Sequence, residues 1–167
     1  MPLTPLHLGP ALAFGLPLRK WLHIPTLLLV SIAIDVEPLI VLVLNLDYPL
    51  HGYLHTLLFA IPYGVAISYT MMYIEKFLNP LYTALLLEEK SRTLTKKPYL
   101  LAGSIGALSH VLLDSPLYTD IRPFYPLDIN PLYNPSLAPL INSFCIWTLL
   151  AGSLLYLTLW LIAKHKA

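Results

Sequence analysis

Apolar residues come in long runs separated by short polar or proline-rich breaks, and five of these runs read as helical elements. The first, about Pro5 to Leu18, and the second, Ile24 to about Glu37, are each shorter than the roughly 20 residues that cross a hydrocarbon core. A tight cationic hairpin, "RKWLH", joins them. The run "PLIVLVLNL", Pro38 to Leu46, either continues the second helix beyond a kink or forms a separate half-helix. Pro38 disfavours helical geometry at Glu37 and suits the first turn of a new helix, so a break is expected there. The third helix is expected from about Gly52 to Ile74, the fourth from Tyr99 to Leu117 and the last from Leu137 to Ala163. Between the third and fourth, "FLNPLYTALLLEEKSRTLTKK" reads as an amphipathic interfacial helix followed by a basic loop.

Composition places this pattern in a bilayer. Of 167 residues, 57% are hydrophobic and only 11% charged, with a mean hydropathy of +0.69. The expected architecture is all-α: a single membrane-embedded domain over residues 1–167, a polytopic bundle of about five apolar helices plus the interfacial one. No repeat or second domain is visible, and the opening "MPLTPLHLGP" lacks the basic n-region and small-residue cleavage site of a signal peptide. The net charge of +1 excludes the basic footprint of a nucleic-acid binder. Cys145, the one cysteine, excludes an internal disulfide or a cysteine-rich metal site and reads as a buried structural thiol. With the N-terminus outside, Arg19, Lys20, Lys76, Lys90, Arg92, Lys96, Lys97, Lys164 and Lys166 all fall on one side, and only Arg122 on the other. That asymmetry makes the C-terminus cytoplasmic and turns the loop from Tyr118 to Ser136 outward. Its aromatics, Tyr118, Phe124, Tyr125 and Tyr133, read as an interfacial belt, with a lid as the alternative.

Ionisable residues inside such helices demand a reason, because charge at membrane depth is costly. Counted from the cytoplasmic ends, His7 lies eleven residues from Leu18, Asp35 eleven from Ile24 and His110 eleven from Tyr99. Each should therefore sit about 17 Å up its helix, at one shared depth. Asp114 lies one turn above His110 on the same face. In "LHGYLHTLLFA", His51 and His55 stand four apart at the mouth of the third helix. By the same count His55 lies too high, nearly 30 Å from Ile74, unless a kink at Pro62 or a dip of the helix closes the gap. Imidazole with carboxylate is the ligand set of zinc and similar divalent ions, and seven residues qualify: His7, Asp35, Glu37, His51, His55, His110 and Asp114. A bound dication, zinc or else manganese, as one ion or two, would account for buried charge. His23 and His165 fall among the cytoplasmic cations and read as surface residues. No acidic or histidine residue is expected in the cytoplasmic half of any span.

The ordered motifs "TPLHLGPAL", "SIAIDVEPL", "HGYLHTLLFA" and "GALSHVLLDSPLY" resemble the membrane-bound metal-dependent hydrolases of the YdjM/YbcI type, grouped distantly with zinc-dependent phospholipase C. The likeness runs from about Pro2 to Leu127. It implies ligand positions at His7, Asp35, His55, His110 and Asp114, with Glu37 and His51 beside them. Glu37 stands where aspartate also occurs in that family, Pro38 where histidine is common, and Gly52 where an arginine often follows the first histidine of the pair. Arg122, the only outer cation, is the candidate substitute for gripping an anionic substrate; the alternative is an arginine that snorkels to headgroups. Together, resemblance and constellation imply metal-assisted hydrolysis of a lipid-borne phosphoester or ester at the outer side of the cell membrane. Asp35 and Glu37 are the catalytic candidates, Glu37 as general base or bridging ligand. Two other readings stay open: a metal ion or proton pathway, and a non-catalytic subunit whose metal staples short helices together. Membrane lipids are the expected partners, with association into homo-oligomers or with other membrane proteins left open.

Overall fold

Residues 5–85, 87 and 95–165 are described by the computed structural model, and among them the chain forms helices and turns but no strand. Six α-helices follow in order: α1 (Leu8–Gly15), α2 (Ile24–Ala33), α3 (Val36–Leu44), α4 (Leu57–Ala84), α5 (Lys96–Asp114) and α6 (Ala138–His165). Short 3-10 turns at Pro5–His7 and Leu16–Leu18 extend α1 at both ends, and two more, Tyr53–His55 and Pro135–Leu137, lead into α4 and α6. Among the described residues three stretches are long and apolar enough to cross a membrane: Ile24–Leu44, Leu57–Ala84 and Pro135–His165.

Ile24–Leu44 is broken in the middle. Around Asp35 the backbone turns to short-range bonds, Asp35 N–H to Ile32 O and Glu37 N–H to Ile34 O, each 3.2 Å. The break falls two residues before the expected one. Pro38, which lacks an N–H, is the third residue of α3, where helix geometry asks for no donor, so the new helix can begin ahead of it.

Helix α4 starts later and ends later than its hydrophobic run implies. Thr56 is extended and its hydroxyl accepts from Phe59 N–H, a cap that sets the first residue at Leu57. His51 and His55 therefore lie before the helix, not on it. At the other end α4 absorbs Phe77 to Ala84, where a separate interfacial helix is expected. A buried stripe of Ala60, Gly64, Ser68, Met71, Glu75 and Tyr82, at spacings of three, four and seven, continues through that segment and keeps it on the bundle. Part of the expected basic loop, including Lys90 and Arg92, lies outside the described residues.

The core forms where α5 packs along α4 and α2. Gly64 and Gly103 face each other at the α4–α5 crossing so closely that a Cβ on either would collide with the other's carbonyl. Ser68 Oγ bonds both Gly64 O and Tyr99 O at 2.8 Å, tying the same crossing. Val30, Ile34, Ala60, Ala107 and Val111 form a buried apolar layer in the middle of the bundle. Helix α6 lies against α1 and turns a row of large apolar side chains, Leu140, Trp147 and Leu154 among them, outward.

Candidate metal centre

Three elements deliver four buried side chains to one point. Helix α5 carries His110 and Asp114 one turn apart on its buried face; the α2–α3 break supplies Asp35, and the 3-10 turn before α4 supplies His55. One donor atom from each lies within 4.8 Å of all the others. His110 Nε2 is 3.5 Å from both Asp35 Oδ1 and Asp114 Oδ2, and His55 Nε2 is 4.0 Å from Asp35 Oδ1. Donors around a tetrahedral ion with bonds near 2.1 Å stand about 3.4 Å apart, so these separations suit a shared ion.

Hydrogen positions follow from the outer partners. His110 Nδ1 lies 2.8 Å from the Ser31 carbonyl, which can only accept, so Nδ1 donates and Nε2 of the neutral ring carries the lone pair. His55 Nδ1 likewise donates to Glu37 Oε2 at 3.1 Å. With both rings neutral the two Nε2 lone pairs face carboxylates, and neither these atoms nor Asp35 Oδ2 has a hydrogen-bond partner. Such a gathering of buried acceptors is unfavourable without a cation among them. Imidazoles whose far nitrogens donate to a carbonyl and a carboxylate are also the usual outer support of metal-binding histidines. The group could hold a metal ion.

The other expected residues surround this group. His7 reaches Asp114 Oδ1 through Nε2 at 3.1 Å, with its ring centroid 4.3 Å from that of His110. Glu37 stands behind His55, its oxygens accepting from His55 Nδ1, Leu54 N–H and Tyr48 O–H. These bonds fix the orientation of the His55 ring. His51 packs its ring 4.7 Å from that of His55 and is held by Asp120, which accepts from His51 N–H at 3.0 Å and from Nδ1 at 2.9 Å. Burial pushes the Asp120 carboxyl up, but these bonds outweigh it and hold it below the usual carboxylate range. Tyr118 stacks on His51 at 4.1 Å; burial, with the charges of Asp114, Asp35 and Asp120, pushes its hydroxyl up to about 12. Arg122 is half-exposed, its Nε 2.7 Å from Asp128 Oδ1, outside the metal group.

Two cavities flank the group. One, of about 390 Å³, opens between the N-terminal turn and α6, with His7, Asp114 and Tyr118 on its polar side and Leu6, Ile141 and Ile146 on its apolar side. The other, of about 140 Å³, lies beside His51, between the segment before α4 and the loop after α5.

His23 corrects the sequence reading. It is wholly buried, stacked on Tyr99 at 4.1 Å, with Nε2 3.4 Å from Oε2 of Glu75, itself buried in α4. An acid and a histidine thus do lie in the half of the bundle where none is expected. Asp120, Tyr48 and the Ser31 carbonyl escape sequence reasoning because their partners are distant in the chain or are backbone. Thr56, by contrast, is a readable helix cap that would have put His55 off the helix.

No protein-family model, curated protein or solved structure matches the chain.

Proposed function

We propose that the protein is a membrane-bound metal-dependent hydrolase of the YdjM/YbcI kind, acting on a lipid-borne phosphoester or ester at the extracytoplasmic side. The supporting observation is the convergence of Asp35, His55, His110 and Asp114, with two Nε2 atoms turned toward carboxylates. Zinc fits this mixed nitrogen and oxygen set, with manganese as the alternative. Such an ion, when bound, brings the pKa of a ligand water toward neutrality and polarises a phosphoryl or carbonyl oxygen. Ser31 and Glu37 hold the imidazoles in the tautomer that binds. His7 hydrogen-bonds Asp114 and fixes its carboxylate.

Access favours an enzyme over a structural staple. Asp114 belongs both to the ligand group and to the wall of the 390 Å³ cavity, so the group borders the space between the N-terminal turn and α6. The apolar side of that cavity suits a lipid tail arriving from within the leaflet. A pathway reading is weaker: between this group and the His23–Glu75 pair lies the buried apolar layer of Val30, Ile34, Ala60, Ala107 and Val111. Orientation follows the cation asymmetry, with the N-terminus outside and the C-terminus cytoplasmic.

Elemental analysis of purified protein, compared with His110→Ala and Asp35→Ala, tests the site. Stoichiometric zinc or manganese lost in both variants supports it, and metal-free wild type overturns it. Hydrolysis of vesicle lipids by wild type but not by Asp35→Ala would establish catalysis; metal binding without turnover across phosphoester and ester lipids would leave the staple.

A further inference from the structure

The smaller cavity holds both signs of charge and an aromatic wall. Its volume of about 140 Å³ is far above the roughly 10–15 Å³ that one water needs, and Tyr48, Tyr53, Tyr125, Asp120, Arg122 and His51 line it. The three tyrosines are set at angles: Tyr53 meets Tyr125 edge-to-face at 5.4 Å and 82°, and Tyr48 at 6.4 Å and 51°. Gly52 allows this, since a Cβ there would collide with the Tyr48 ring. Concave aromatic walls attract alkylammonium groups through the negative faces of their rings. Asp120 adds a carboxylate, while Arg122, anchored through Nε by Asp128, presents a guanidinium on the same cavity. A simple anion would be repelled by Asp120 and a simple cation by Arg122. A ligand carrying both charges matches both.

We propose that this cavity binds an alkylammonium phosphate of the phosphoethanolamine or phosphocholine class, with the ammonium against the tyrosines and Asp120 and the phosphate at Arg122. Two links join it to the metal group: Tyr48 O–H donates to Glu37, which holds His55, and Asp120 holds His51 against the His55 ring. The inference rests on the hydrolase reading only for what becomes of the ligand. Binding itself needs no metal.

The test uses full-length, metal-stripped protein in detergent and calorimetric titration with soluble phosphocholine and phosphoethanolamine. Wild type should bind both more tightly than choline or inorganic phosphate alone. Tyr125→Leu should weaken binding about tenfold while Tyr125→Phe, which keeps the ring face, retains it. Arg122→Gln should weaken phosphocholine binding and tighten that of choline, whose charge it no longer repels. Persistence of binding in His110→Ala separates this site from the fate of the hydrolase reading. Repeating the titration in phosphatidylethanolamine nanodiscs distinguishes sources: suppressed binding of the soluble ligand identifies the lipid headgroup as occupant, and unchanged binding identifies a free phosphoalkylamine. Equal affinity for phosphate and phosphocholine, or unchanged binding by a folded Tyr125→Leu, overturns the proposal.

Discussion

Helix α2 has a buried histidine–carboxylate group at each end, and the two groups are built in opposite tautomers. At the outer end His110 and His55 donate through Nδ1, to Ser31 O and Glu37, so their Nε2 lone pairs converge on Asp35 and Asp114. At the inner end His23 Nδ1 accepts, from Thr26 N–H at 3.3 Å and from the Thr26 hydroxyl at 2.7 Å. Its proton is therefore on Nε2, facing Glu75 at 3.4 Å. Donor meets acceptor at the inner end, which binds α2 to α4 with no ion required. The same residue types thus make a ligand set or a structural tie according to what the far nitrogen touches.

The largest difference between the ends should appear in metal content. His110→Ala is expected to abolish stoichiometric metal, whereas His23→Ala should keep it while lowering thermal stability; metal loss in His23→Ala would break the contrast. Chelation comes next. Metal present at a hundred times its dissociation constant contributes about 2.7 kcal/mol, so stripping should lower the melting temperature of wild type and leave that of His110→Ala unmoved. Glu37→Gln keeps the shape but removes the charge behind His55, and metal titration should show affinity lower by about tenfold. At the inner end Thr26→Val removes a hydroxyl partner of His23 and should cost about 1 kcal/mol in denaturant unfolding, with metal content unchanged. The smallest effect concerns pH. Asp120 is held below its unfolded value of about 3.9, so its tie to His51 stabilises the fold above that value and is lost as pH falls through the lower folded one. In acid titration wild type should be more stable than Asp120→Asn above about pH 4, with the difference shrinking as pH falls through the lower folded value, and a difference that persists undiminished in acid would contradict it.

Much of the outer group was legible because a helix converts residue count into height. His7, Asp35 and His110 share a rise, and the structure sets His7 and His110 ring to ring, with His110 Nε2 3.5 Å from Asp35. Counting fails where the chain is not helical. His55 looked too high only because the helix was started at Gly52; the Thr56 cap moves the start to Leu57 and leaves His55 on a turn that reaches inward. Asp120 pairs with His51 across 69 positions of sequence, and no periodicity reports such a contact. His23 was misjudged for a related reason. Its cationic neighbours Arg19 and Lys20 mark a surface, yet its own ring turns in to cap α2 beneath Tyr99. The inner acid was lost with the end of α4, which the apolar run places at Ile74, one residue short of Glu75.

The four donors come from widely separated parts of the chain, from Asp35 in the first third to Asp114 well beyond the middle. Any ion held by all four would therefore have to wait until the chain is made beyond Asp114, so a complete coordination shell belongs to the finished fold and not to its first half.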